Sequence, residues 1–290
     1  MSEPGHKWQR RRQAFRRHIE NEVCLFPASV FDPLSARIAE DIGFEAGMFA
    51  GSQAALAILG APDYVLITLT EFAEQAHRIS RASELPLMVD ADHGYGNPLS
   101  VARTVEELEA AGVAGLSIED TVLPEPHSSS GQPRIAALEE GLARVKAAVS
   151  ARRDPDLVIA GRTSAASLTD LDDAIARVQA YEAAGADLLF LIGLKSRVDL
   201  ERVASATSAP LMLGGVPVEM RDAEYLASQR VRLCLYGHQT MPASVAAIEA
   251  TMRAIRLGTP VAELAGLADK PTMDRLTRRA EYDAMRKQFL

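Results

Sequence analysis

The sequence predicts an α/β protein, a closed (β/α)8 barrel of the TIM type with an N-terminal helix and extra C-terminal helices. Eight strand-like apolar runs recur along the chain, and segments with helical periodicity lie between most of them. The runs cover residues 23–26, 46–50, 87–89, 115–118, 157–160, 187–192, 210–213 and 231–235. Eight strand–helix units in about 250 residues fit a closed barrel better than an open doubly wound sheet. The open sheet stays an alternative, although no glycine-rich dinucleotide-binding turn follows the first run.

The first predicted element is an N-terminal helix with a strongly basic face. Trp8, Phe15 and Ile19 are expected to dock it on the protein, which leaves the basic residues on a solvated face. These basic residues are Lys7, Arg10, Arg11, Arg12, Arg16 and Arg17. A nucleic-acid arm or a membrane-surface helix is the alternative for such a cluster.

The later helices are predicted from apolar residues at helical spacing. These residues are Val101, Val105 and Leu108, then Leu138, Leu142, Val145 and Val149, then Leu171, Ile175 and Val178. Residues 108–119 and 181–192 share one design, in which a helix ends, a glycine stops it and a strand follows. Residues 39–51 have the same shape. This repeated unit supports strict alternation of helices and strands.

The domain organisation is predicted to be simple. No linker or break in composition lies between residues 23 and 257, so we expect one domain over residues 1–290, with the barrel at about 23–257. The tail, residues 258–290, contains a charged, helix-like stretch at 273–289. We expect this stretch to pack on the barrel or on a neighbouring subunit.

The composition excludes several classes of protein. With 48% hydrophobic and 24% charged residues and no apolar run long enough for a membrane span, a soluble protein is expected. The net charge of -8 does not suggest nucleic-acid binding. The only cysteines, Cys24 and Cys234, lie in apolar runs, which predicts core packing and a reducing, cytoplasmic location. No apolar signal segment is found at the N-terminus.

The stretch VDADHGYGN at residues 89–97 is the most informative motif. An apolar strand ends abruptly in Asp90 and Asp92, and a loop containing glycines follows. Two carboxylates two residues apart on an extended backbone point the same way, so they should share a cation or lie in an open site. Oxygen ligands favour Mg²⁺ or Mn²⁺, although a solvated acidic turn is the alternative.

Polar residues also follow other runs, at the barrel end where active sites of such folds lie. They include Gly51–Ser52, Glu119–Asp120, Arg162–Thr163–Ser164 and Tyr236–Gly237–His238. Together with the acidic pair, they describe a site that stabilises the enolate of a 2-keto acid.

Each of these residues suits a part of that chemistry. Asp92 can bind a divalent ion directly, and Asp90 and Glu119 can hold its water ligands. Arg162 can grip a carboxylate, while Ser52 and the Gly51–Ser52 amides can hydrogen-bond an oxyanion. The alternatives are a helix-capping role for Ser52 and a structural salt bridge for Arg162.

Two histidines also belong to the predicted site region. His238 can donate a hydrogen bond or a proton to the substrate, although a surface histidine is the alternative. His93, the histidine nearest the acidic pair, can equally orient a neighbour or react.

Several motifs together resemble the isocitrate lyase / phosphoenolpyruvate mutase superfamily. They are GS at 51–52, PDY at 62–64, DADHGYGN at 90–97, IED at 118–120 and GRTSA at 161–165, and the resemblance spans about residues 23–257. It implies an α/β barrel that binds Mg²⁺, stabilises enolates of 2-oxo acids and forms a dimer of dimers that exchange the last barrel helix. By the same resemblance Asp92 is the direct Mg²⁺ ligand, and Asp63, Asp90 and Glu119 lie in its outer shell.

Within that superfamily the chain is most similar to the oxaloacetate decarboxylase branch. The lyases carry a cysteine in the loop after the fourth strand, and the mutases a lysine, but residues 121–134 contain neither. The lyases also place a glutamate after the sixth strand, where this chain has Ile192–Gly193–Leu194. Residues 29–47, residues 61–72 and the Gly237–His238 pair resemble the decarboxylases.

Two departures from this branch concern the substrate. The tyrosine that its members carry after the seventh strand is replaced by Gly214–Gly215–Val216–Pro217, so Tyr236 is considered as a substitute hydroxyl. The fifth strand ends in Arg-Thr-Ser-Ala where relatives have asparagine or aspartate at the third position. These departures leave substrates other than oxaloacetate open.

The predicted function is Mg²⁺-dependent decarboxylation of a 2-keto dicarboxylate, with oxaloacetate giving pyruvate and CO₂. Mn²⁺ is the other candidate metal, a homotetramer is the expected assembly, and no nucleic acid or membrane is expected as a partner. Residues 121–134 are predicted to form a mobile lid over the site. One alternative is a carbon–carbon lyase or hydrolase of the same superfamily that acts on a 2-substituted malate or oxaloacetate. Another is a barrel that binds a dicarboxylate without catalysis.

Overall fold

The computed structural model describes residues 4–125, 127 and 131–290. It contains a single parallel sheet of eight strands in sequential order, and helices cover its outer face. The amide of Leu25 donates a 2.8 Å hydrogen bond to the carbonyl of Arg232, and the amide of Cys234 donates one of 2.9 Å to Leu25. These bonds join the start of the barrel to its last strand, so the sheet is closed. The predicted (β/α)8 barrel is confirmed.

The strands match the predicted runs except at the first position. They are β1 (Ala28–Ser29), β2 (Gly47–Ala50), β3 (Leu87–Asp90), β4 (Gly115–Glu119), β5 (Val158–Thr163), β6 (Leu188–Ile192), β7 (Leu211–Gly214) and β8 (Val231–Leu235). The prediction of a first strand at 23–26 is wrong, because β1 pairs with β2 only beyond Pro27. Leu25 forms an isolated bridge to Leu233, and Pro27 lacks the N–H that a continuous strand would need.

The helices alternate with the strands as predicted. The larger ones are α1 (Pro4–Glu20), α2 (Pro33–Ile42), α4 (Leu69–Ala82), α5 (Pro98–Ala110), α6 (Leu138–Ala151), α8 (Leu171–Ala183), α9 (Arg197–Ala206), α11 (Thr240–Arg256), α12 (Lys270–Leu276) and α13 (Arg279–Phe289). Short helices α3 (Gly51–Ala54), α7 (Ala165–Leu168) and α10 (Ala223–Ser228) follow β2, β5 and β7. Among the described residues, none of the helices is long and apolar enough to cross a bilayer.

The C-terminal tail contains two helices where one helical stretch, 273–289, was predicted. Helix α12 ends at Leu276, and α13 begins at Arg279. Arg278 between them has a φ of 55°, in the left-handed region, which interrupts the helix. Arg278 also pairs with Glu40 at 3.1 Å and with Asp41 at 2.9 Å, so the tail is attached to α2 of the same barrel.

The basic residues of α1 are only partly solvated as predicted, because Arg10 and Arg17 are exposed but the others contact the barrel. Arg11 and Arg12 are buried. Arg12 pairs with Asp154 at 2.8 Å, and Arg16 pairs with Asp187 at 3.1 Å. Phe15 is buried among the inward-facing residues of the strands. Most of the cluster is therefore neutralised by acidic residues of the same chain.

Candidate active site

A cavity of about 520 Å³ opens at the carboxyl ends of the strands. In barrels of this kind, that face carries the active site. Most of the predicted site residues line the cavity: Ser52, Asp63, Asp90, Asp92, Glu119, Arg162 and His238. Side chains that are far apart in sequence therefore meet at one place, as the strand-end pattern predicts.

Alternation along the strands decides which polar residues reach the cavity. Glu119 at the end of β4 faces inward, whereas Asp120 points outward. Asp120 accepts hydrogen bonds from the hydroxyl of Tyr181 at 2.6 Å and from Nη1 of Arg177 at 3.1 Å, both on α8. Asp120 therefore fastens α8 to β4 and does not face the ligand.

Asp92 follows β3 in a left-handed backbone conformation, with a φ of 48°. Its side chain is buried, and its Oδ2 has no hydrogen-bond partner among the described residues. Burial raises the pKa of Asp92 well above its usual range, and the charges of Asp90 and Glu119 raise it further. A buried carboxylate oxygen without a donor is costly unless a cation binds it.

Gly51 makes room for Asp92 and does not line the cavity. A Cβ atom at position 51 would lie 2.6 Å from Oδ2 of Asp92, which is closer than any side chain tolerates. Of the predicted Gly51–Ser52 pair, only Ser52 reaches the cavity wall. Gly51 therefore supports the site by allowing β2 and the Asp92 carboxylate to approach closely.

Arg162 joins the buried carboxylates into one network. Its Nη1 donates a hydrogen bond to Oδ2 of Asp90, and its Nη2 lies 2.9 Å from Oε2 of Glu119. Asp90 also accepts a 2.8 Å hydrogen bond from the hydroxyl of Ser117. Burial raises the pKa of Glu119 to about 7, and the charge of Arg162 opposes this shift. The guanidinium thus offsets repulsion between carboxylates that share a desolvated site.

His238 and Asp63 form another part of the cavity wall. Nδ1 of His238 lies 2.8 Å from the hydroxyl oxygen of Ser29. Burial lowers the pKa of His238, while the charges of Asp90 and Asp63 oppose the shift. Burial also raises the pKa of Asp63, and Asp90 adds to this. His238 therefore faces acidic side chains across the cavity.

Two residues considered from sequence do not reach the cavity. Tyr236 stacks on Phe26 with ring centroids 4.5 Å apart, outside the barrel, so it does not replace the missing tyrosine hydroxyl. His93 is buried and does not line the cavity, and burial lowers its pKa to about 4. Its Nδ1 has no hydrogen-bond partner among the described residues, and its ring centroid lies 6.3 Å from that of Tyr95.

Sequence reasoning missed several polar residues of the site. Ser29 and Ser117 are ordinary strand residues in the sequence, and only the register of neighbouring strands places them on His238 and Asp90. Glu125, Gln132 and Arg134 line the cavity from the loop between β4 and α6. The predicted lid at 121–134 includes residues 126 and 128–130, which lie outside the described residues.

The donor set fits a hard divalent cation that keeps much of its water. Among the described residues, no three His, Cys, Asp or Glu side chains converge closely enough to ligate one ion. Mg²⁺ commonly binds through one or two carboxylates and retains several waters. Asp92, with its unpartnered oxygen, suits a direct ligand, and Asp63, Asp90 and Glu119 suit contacts through water.

Comparison with known proteins places this chain in a family. The phosphoenolpyruvate phosphomutase family matches residues 15–256. An oxaloacetate decarboxylase of Rhodopseudomonas palustris (strain BisB18) is 56% identical over 283 residues, which cover 98% of this chain and 98% of that protein.

Two solved structures show the same fold. Oxaloacetate acetylhydrolase in complex with the inhibitor 3,3-difluorooxalacetate is 26% identical, with a TM-score of 0.85 and coverage of 96% of this chain and 97% of that one. Phosphonopyruvate hydrolase in complex with oxalate and Mg²⁺ is 27% identical, with a TM-score of 0.83 and coverage of 96% and 99%. The chain therefore belongs to the phosphoenolpyruvate phosphomutase family, within the isocitrate lyase / phosphoenolpyruvate mutase superfamily.

Proposed function

We propose that the protein is a carboxy-lyase that converts oxaloacetate to pyruvate and CO₂ with Mg²⁺, or Mn²⁺, as its cofactor. The observation that carries this proposal is the composition of the cavity wall. It combines the unpartnered carboxylate oxygen of Asp92 with Arg162 and His238, and its described residues include no cysteine or lysine. The relative that is 56% identical and named oxaloacetate decarboxylase supports the same substrate.

The reaction needs an electron sink and groups that bind and orient the substrate. The C3–C4 bond of oxaloacetate breaks, its electron pair moves into the C2–C3 enolate, CO₂ departs and a proton is added at C3. A divalent cation held by Asp92 would withdraw charge from the 2-keto oxygen. Ser52 on the same wall would donate a hydrogen bond to the developing oxyanion.

Arg162 keeps donors for a substrate carboxylate in spite of its two ion pairs. A guanidinium has five N–H donors in a fixed plane. Nη1 donates one hydrogen bond to Asp90, Nη2 forms an ion pair with Glu119, and the buried Nε has no partner among the described residues. The remaining donors can bind a carboxylate while the two ion pairs hold the plane in place.

Metal dependence tests this proposal. Asp92→Ala should abolish Mg²⁺-dependent pyruvate formation and remove any Mg²⁺-induced rise in Tm, because the cation loses its direct ligand. EDTA should have the same effect on the unmodified protein, and added Mg²⁺ or Mn²⁺ should reverse it. Asp172→Ala, at an exposed carboxylate on α8, is the matched control and should keep both responses. Undiminished turnover in EDTA would contradict the proposal.

We further propose a homotetramer, a dimer of dimers in which subunits exchange α11. Only Met241 of α11 is buried, and its apolar residues Val245, Ile248 and Met252 are exposed. Beside the start of α11 lies an apolar groove of about 560 Å³, the α2 groove, which is lined by residues such as Phe26 and Ile38. In a (β/α)8 barrel, the last helix normally covers such a place, so α11 of a second copy fits it.

A cytoplasmic location is proposed on the basis of the two cysteines. Both are buried and free, and unpaired thiols are typical of a reducing compartment. The proposed partner is a small 2-oxo dicarboxylate, since the net charge of -8 does not favour binding to nucleic acid.

A further inference from the structure

A contact between β1 and the loop after β8 fixes the orientation of His238. Nδ1 of the imidazole lies 2.8 Å from Oγ of Ser29, which is 209 residues away in the sequence. Contacts with β2 and with the start of α11 fix the position of Ser29. It pairs in register with Met48 of β2, and its carbonyl accepts a 2.9 Å hydrogen bond from the hydroxyl of Thr240.

The geometry leaves one ring nitrogen for the ligand. His238 lines the active-site cavity, whereas Ser29 does not and lines the neighbouring α2 groove. Because Nδ1 is directed toward Ser29, Nε2 on the other side of the ring is the nitrogen available to the cavity.

The electrostatics of the cavity favour a proton on that nitrogen. Asp63 and Asp90 act on His238 from the cavity side. A lone pair on Nε2 would be directed at these anions and at any substrate carboxylate, whereas an N–H would be attracted to them. A serine hydroxyl can either donate or accept, so it can donate to Nδ1 and leave the single proton of a neutral imidazole on Nε2.

We propose that Ser29 is a positioning residue that holds His238 as the Nε2–H tautomer, so that His238 donates a hydrogen bond to a substrate oxygen. The choice of substrate oxygen rests on the proposed decarboxylation, but the tautomer does not. Ser29 acts through the imidazole and does not touch the substrate.

The tautomer can be read directly by NMR of the imidazole nitrogens in ¹⁵N-labelled protein. The chain has six histidines, and the spectrum of His238→Gln identifies the signals of His238. The unmodified protein should show the Nε2–H pattern at neutral pH. Ser29→Ala should show a mixture or the Nδ1–H pattern, and Ser29→Thr should restore the original one because it keeps the hydroxyl.

Kinetics provide a second readout. Ser29→Ala should lower kcat/KM by about fivefold to tenfold, the size expected for one lost hydrogen bond, and Ser29→Thr should stay within about twofold of the unmodified protein. Ser35→Ala is the matched control, because Ser35 makes comparable hydrogen bonds to the backbone of Phe31 and Asp32 but does not touch His238. This control should leave the His238 spectrum unchanged.

Two results would overturn the inference. One is an Nδ1–H pattern for His238 in the unmodified protein. The other is an unchanged tautomer and an unchanged kcat/KM in a folded Ser29→Ala protein. If oxaloacetate is not turned over at all, the proposed function fails, and the NMR spectra still decide the role of Ser29.

Discussion

At the residue scale, the site depends on a small group of buried carboxylates that line one cavity. Asp92, Asp90 and Glu119 share a buried wall, and Arg162 is the cation that contacts two of them. Removing one member of such a network leaves the others uncompensated, which costs more than the contact itself. The negative charge of these buried carboxylates also favours the binding of a divalent cation in the cavity.

Arg162→Lys should lower kcat/KM by about 100-fold, although the charge is kept. Lysine offers a point charge in place of a planar fork, so it cannot hold Asp90, Glu119 and a substrate carboxylate together. Steady-state kinetics on oxaloacetate measure this effect. Arg202→Lys, in an exposed ion pair with Asp172, is the control and should change kcat/KM little. Equal activity of the two variants would show that Arg162 does not bind the substrate.

The thiols should have no part in catalysis. Burial raises the pKa of Cys24 to about 12 and that of Cys234 to about 11, so both stay protonated at pH 8. We expect no reaction with a thiol reagent until the protein unfolds, and unchanged kcat in the double variant Cys24→Ala, Cys234→Ala. Rapid labelling of the folded protein with loss of activity would contradict this.

Some residues were predictable because they directly follow apolar strands. Asp90, Asp92, Glu119, Arg162 and His238 are of this kind, and the carboxyl ends of parallel strands converge. Ser29 and Ser117 were not predictable, because their partners are set by strand register. Neither residue differs in the sequence from an ordinary serine in a strand.

At the scale of elements, the loop between β4 and α6 contributes one side of the cavity wall. Its two ends are tied together by an isolated bridge between Thr121 and Ile135, and the amide of Val122 donates a 2.8 Å hydrogen bond to the carbonyl of Arg134. Its described residues Glu125, Gln132 and Arg134 line the cavity. The lid role of residues 121–134 stays a prediction.

Limited proteolysis tests the lid. Oxalate, which mimics the enolate of pyruvate, should slow cleavage within residues 121–134 by about tenfold when Mg²⁺ is present, because closure over a ligand removes the loop from the protease. Fragment masses identify the cut sites. The same digestion of Asp92→Ala should show no protection, and identical cleavage of the unmodified protein with and without oxalate would count against a lid.

Elements with strong local signals were predicted well, and those fixed by tertiary contacts were not. The seven strands from β2 to β8 follow the apolar runs. In contrast, β1 is only two residues long and is defined by pairing with β2, so the run at 23–26 was misleading. The arginines of α1 were assigned to solvent because the acidic partners Asp154 and Asp187 are far away in sequence.

At the scale of the whole molecule, α11 leaves most of its apolar residues exposed within the described part of the chain. The apolar face of α11 and the α2 groove are both exposed, and both are lined mainly by apolar side chains. Exposed apolar surfaces of this kind mark interfaces. Exchange of α11 between two copies would bury both surfaces with the same contacts in each direction, as a two-fold dimer requires.

The assembly is tested by light scattering during size-exclusion chromatography. The unmodified protein should elute as a tetramer, and the double variant Ile248→Asp, Met252→Asp should dissociate because charges cannot be buried in the α2 groove. Val198→Asp, at an exposed valine on α9, is the control and should remain tetrameric. A monomeric unmodified protein would contradict the exchange.

The choice of reaction is the central claim, and one assay tests it most directly. Oxaloacetate, 2-methylisocitrate and 2,3-dimethylmalate are offered separately to the Mg²⁺-loaded protein, with Asp92→Ala measuring the spontaneous loss of CO₂ from oxaloacetate. We expect pyruvate and CO₂ in equal amounts from oxaloacetate, well above that background, and no cleavage of the other two compounds. Efficient release of succinate or propionate from the latter two, with oxaloacetate untouched, would contradict this claim.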